Sequence, residues 1–119
     1  DKELSLNKKS NVFDDQAETI VFNNIKSTIV DKTTYLKADF NNLNQDILNQ
    51  LYNRDILSVI IEGGAITINS FIEKNLYDEI RIFTTDKFLK KGVDSPKLPK
   101  VNLIETSIIN NDKLEVYKR

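Results

Sequence analysis

The sequence predicts an α/β domain: a mostly parallel sheet flanked by helices, with a C-terminal antiparallel hairpin. Three observations carry this expectation. Segments of β-branched and aromatic composition alternate with segments whose apolar residues recur at helical spacing. The most apolar segment, "LSVII" at residues 57–61, runs without polar alternation, as does a strand buried on both faces of a parallel sheet. Near the C-terminus, "VNLIETSII" and "KLEVYKR" flank the turn-forming residues Asn110, Asn111 and Asp112.

The chain opens with "DKELSLNKKSNVFDDQ", polar and without period. It has neither an initiating Met nor a recognisable tag, so Asp1 reads as a cut edge. Residues 18–23 have strand composition, and residues 33–37 begin a weaker strand that runs into a turn-rich "NNLN". The period then changes. Leu43, Ile47, Leu48 and Leu51 fall on one helical face, which predicts a helix over 44–54 with Asn44 as N-cap and Leu43 and Leu48 as a hydrophobic staple. A buried strand is expected at 57–62. Ala65, Ile68, Phe71, Ile72 and Leu76 resume the helical period over 65–75, and Asn75 suits a left-handed C-cap. A strand at 79–85 follows, then a Lys/Pro-rich loop over 87–100 and the hairpin. Strand, helix, strand, helix, strand over 18–85 implies right-handed crossovers. No internal repeat appears.

Composition removes several classes of function. The 119 residues fit one domain or part of one. Seventeen basic residues against 18 acidic ones give a net charge of −1, no electrostatic reason to expect nucleic acid or an anionic membrane as partner. Without cysteine or histidine the chain builds no disulfide framework, no usual zinc site and no Ser-His-Asp triad, so no metal is expected. Its apolar runs fall far short of the ~20 residues of a membrane-spanning helix. A cytoplasmic protein is the default expectation.

Two of the three glycines, Gly63 and Gly64, stand together where the strand over 57–62 meets the helix over 65–75. Backbone N–H groups and the helix dipole favour an anion at such a junction, and missing side chains let a phosphate approach. The pair also serves a plain tight turn, and spacing alone leaves both readings open. Glu62, one residue earlier, stands where a strand delivers a side chain to the crevice beyond the sheet's carboxyl edge.

The stretch "SVIIEGGAITINSFIEKNLYDEIRIF" resembles the C-terminal half of the reductase domain of bacterial riboflavin biosynthesis proteins, the bifunctional deaminase/reductase family. Glu62, Gly63, Gly64, Ala65, Ser70, Phe71, Asp78 and Glu79 match its pattern in order and without gaps. The resemblance implies a dihydrofolate-reductase-like fold truncated at its N-terminus, NADPH as cofactor and a homodimer. It also implies reduction of a pyrimidine ribose phosphate, 5-amino-6-(5-phosphoribosylamino)uracil, to its ribitylamino form. By the same resemblance the NADPH phosphates lie against Gly63, Gly64, Ala65, Ile66, Thr67, Ile68, Asn69 and Ser70, Glu62 meets the substrate, and Lys2 approaches the adenosine end. From the residues alone, Lys2 reads sooner as a solvated lysine, Asp78 and Glu79 as a structural turn, and Phe71 and Ile72 as core.

The chain departs from the family at Asp86-Lys87 and at Lys90-Lys91-Gly92, where relatives carry Pro-Lys and a Gly-Gly turn. The family's upstream strands and zinc deaminase domain have no counterpart in these residues. A dihydrofolate-reductase-like enzyme of another substrate and a non-catalytic module of the same fold are the alternatives.

Overall fold

The computed structural model describes every residue except Asp15 and Leu89. The chain divides into two units, Asp1–Ser58 and Val59–Arg119, each holding one three-stranded sheet.

In the first unit, β1 (Thr19–Asn23), β2 (Thr28–Val30) and β3 (Thr33–Lys37) lie in the order β1-β3-β2. β1 runs parallel to β3 from Thr19 opposite Thr33 to Asn23 opposite Lys37, and β2 is antiparallel to β3. The expected β1 and β3 are present with nearly the expected bounds. The chain passes from β1 to the far side of β3 through β2, a short strand that was not expected.

That short crossover depends on Asn23, whose side chain is fully buried. Its amide donates to the carbonyls of Val21 (3.3 Å), Lys26 (3.0 Å) and Leu36 (3.1 Å), and its Oδ1 accepts from the N–H groups of Ile25 (2.9 Å) and Lys26 (2.8 Å). Main-chain groups shielded from water without partners cost free energy, and here one side chain bonds those of the Ile25–Lys26 turn together with two strand carbonyls. Val21, Leu36 and Ala38 form the buried apolar set of this unit.

Helix α1 (Leu43–Tyr52) is capped by Asn42 rather than the expected Asn44, and Asn42 makes no side-chain cap bond. Its start is set by the turn before it: Asp46 in the first turn accepts the Asp39 N–H at 2.8 Å, and Gln50 donates to the Lys37 carbonyl at 3.1 Å. These bonds dock the helix onto the end of β3. The shift leaves Asn41 and Asp46 in the two staple positions, so Leu43 and Leu48 do not form one.

In the second unit, helix α2 (Ala65–Glu73) precedes β4 (Glu79–Thr84), β5 (Asn102–Ile109) and β6 (Asp112–Lys118). The expected hairpin is present, Ile109 facing Asp112, with Asn110 left-handed at φ +55° and a bulge between Leu103 and Glu105. β6 is the central strand, antiparallel to both neighbours, and carries buried Val116. Asn75 takes the left-handed conformation expected of it, at φ +54°. The Leu76 N–H bonds to the Phe71 carbonyl and the Asn75 N–H to that of Ile72, both at 2.9 Å, a Schellman ending. Arg119 ties the end of β6 to that turn through the Asn75 carbonyl at 3.1 Å.

One expected strand is missing. Residues 57–62 form no ladder; Leu57 is 83% exposed and Ile60 86%. A strand needs a hydrogen-bonding neighbour along its edge, and no described strand pairs with this run. Only β1 and β3 are parallel among the described pairings, so the parallel share of the sheet is smaller than the expected one.

Asn23→Ala should lower the unfolding free energy by about 2 kcal/mol, because it strands buried N–H and carbonyl groups together. Asn23→Asp should cost more at neutral pH, since a carboxylate would face three carbonyls. Urea titrations read both; an alanine variant as stable as the parent would show that the crossover does not need the amide.

Candidate functional site

The turn before α2 divides its work between the two glycines. Gly63 has φ +132°, a conformation that side chains disfavour, and it redirects the chain from the extended run into the helix. Gly64 is the N-cap at φ −72° and ψ 163°, ordinary extended backbone, and its carbonyl accepts from the N–H groups of Thr67 (3.0 Å) and Ile68 (3.3 Å). The turn therefore demands glycine at 63 and not at 64. A Cβ built at either position meets nothing within 4 Å.

Because Gly64 has no side chain, no side chain caps α2, and its first turn holds no acidic residue. The N–H groups that begin a helix have no intrahelical acceptor, so this end presents donors and positive potential beside open space. An anion such as a phosphate group favours an end of this kind. Ile66 is exposed here, whereas Ala65, Ile68, Asn69 and Ser70 are half-buried. The Ser70 hydroxyl donates to the Thr67 carbonyl at 2.7 Å, and Asn69 Oδ1 accepts the Lys97 N–H at 3.0 Å.

Glu62 is exposed immediately before the turn. Among the described residues of this unit, ion pairs join Arg81 to Glu79 (2.7 Å) and Lys113 to Glu115 (3.0 Å), and neither includes Glu62. Glu79 thus has the structural duty expected of it, and Phe71 is core, at 6% exposure.

Lys2 belongs to the first unit. Its ammonium lies 5.5 Å from the centre of the Phe40 ring, and its carbonyl accepts the Asn24 N–H at 2.9 Å. The Asp1 carboxylate accepts from the N–H groups of Ser5 (3.0 Å) and Leu6 (3.1 Å) and closes the loop that carries Lys2. A mostly apolar cavity of about 310 Å³ in the same unit, lined in part by Leu6, Phe13, Val21, Phe40, Leu43 and Ile47, includes none of the predicted site residues.

The bond from Asn69 to Lys97 was not foreseen. It joins residues 28 apart through a side-chain carbonyl and a loop N–H, and the only hint of order there is that Pro96 and Pro99 flank the site.

The family described as RibD C-terminal domain matches residues 1–110. The riboflavin biosynthesis protein RibD of Aquifex aeolicus is 27% identical over 71 residues, 60% of this chain and 20% of its own length. A solved diaminohydroxyphosphoribosylaminopyrimidine deaminase/5-amino-6-(5-phosphoribosylamino)uracil reductase of Thermotoga maritima superposes with a TM-score of 0.81 at 25% identity, covering 99% of this chain and 36% of its own. Acinetobacter baumannii RibD, at 15% identity and a TM-score of 0.76 over 99% of this chain, adds agreement in fold alone. The fold is the dihydrofolate-reductase-like α/β class. The chain spans 20% of the curated relative and 36% of the Thermotoga chain.

The glycines should respond in opposite directions. Gly63→Ala should destabilise by about 1–3 kcal/mol, the usual cost of forcing a side chain into a disfavoured backbone conformation. Gly64→Ala should be neutral or stabilising by up to about 1 kcal/mol, since its backbone suits any residue and the unfolded chain loses freedom. Equal losses in chemical denaturation would contradict this division.

Proposed function

The chain belongs to the RibD C-terminal domain family, and from that premise we propose that it carries the pyridine-nucleotide part of a reductase of riboflavin biosynthesis. NADPH is the hydride donor in this reading, and 5-amino-6-(5-phosphoribosylamino)uracil is reduced to its ribitylamino form. The carrying observation is the start of α2, where Gly63 sets the turn and Gly64 leaves uncapped N–H groups facing open space.

Bound NADPH supplies the hydride. The chain's own residues bind and orient. N–H groups at the start of α2 donate to phosphate oxygens, and charge-assisted bonds of this kind contribute about 1.5–3 kcal/mol each. The Glu62 carboxylate accepts hydrogen bonds from substrate hydroxyl or ring N–H groups and favours a cationic imine over the neutral form. Lys2 is assigned to the adenosine end in the same reading.

The unpaired run at 57–61 supports reading the chain as part of a reductase domain whose remaining strands flank that run. By itself the chain should then bind NADPH weakly and oxidise none of it with the pyrimidine substrate. No described helix is long and apolar enough to cross a membrane, and a cytoplasmic setting is part of the proposal. So is a homodimer, supported by exposed apolar side chains such as Ile104 and Ile108 on β5; sedimentation showing only monomer at high concentration would remove that part.

Calorimetry tests the site. Gly64→Val should keep the fold and abolish NADPH binding, because its side chain fills the space the phosphate needs. In an enzyme with the complete domain, Glu62→Gln should lower turnover at least tenfold, one hydrogen bond to a charged group, with NADPH affinity nearly unchanged. Unchanged binding by the valine variant would take Gly64 out of the cofactor site. Lost NADPH affinity in the glutamine variant would reverse the role of Glu62.

A further inference from the structure

We draw no further inference here: the strongest candidate, the mostly apolar cavity of about 310 Å³ that runs along β1 from Thr19 to Phe22 in the first unit, carries none because nothing in the structure shows what covers it.

Discussion

The amide of Asn23 has two N–H donors and one carbonyl, and in the first unit all of them engage main-chain groups. A parallel pair normally requires a crossover of a dozen or more residues. Here nine residues separate β1 from β3, and part of that length is itself β2. So short a path leaves Ile25 and Lys26 outside the ladders, and one fully buried side chain bonds their main-chain groups together with the carbonyls of Val21 and Leu36. The end of β3 is fixed as a result, and so is the place where Gln50 and Asp46 dock α1.

The second unit solves a related problem by backbone conformation. Gly63 adopts a dihedral that other residues avoid, which lets the chain turn into α2 without a side-chain cap. At the other end of the helix a Schellman ending bonds the Phe71 and Ile72 carbonyls, and the Arg119 guanidinium bonds the Asn75 carbonyl just beyond the helix. The two ends of one short helix are therefore treated oppositely: the C-terminal end is closed by the protein, and the N-terminal end is left open. Gly64 contributes only by lacking a side chain.

Elements that depend on their own composition were legible in the sequence. β1, β3, β4 and the hairpin follow from β-branched alternation and turn residues, and α2 from its apolar spacing. The run at 57–61 has the strongest strand composition of all and forms no strand, because a strand is a relation between two segments and composition describes one. The α1 cap moved from Asn44 to Asn42 for a similar reason: contacts with Asp39 and Lys37 decide where the helix begins. At the candidate site the paired glycines were visible, but not which of them carries the unusual dihedral. The bond from Asn69 to Lys97 left no trace in any local pattern.

The exposed run also governs how the protein behaves in solution. "ILSVII", residues 56–61, is uncharged, β-branched and free of proline and glycine, the composition of segments that stack into intermolecular β-structure. Its only charged neighbours are Asp55 and Glu62, which bracket it as gatekeepers, and like charges brought close in a stacked assembly repel. Glu62 therefore has a colloidal duty apart from any ligand. Removing its charge by substitution takes away one of two barriers against self-association, so preparations of such variants call for dilute, low-salt handling in which the remaining charges repel at longer range.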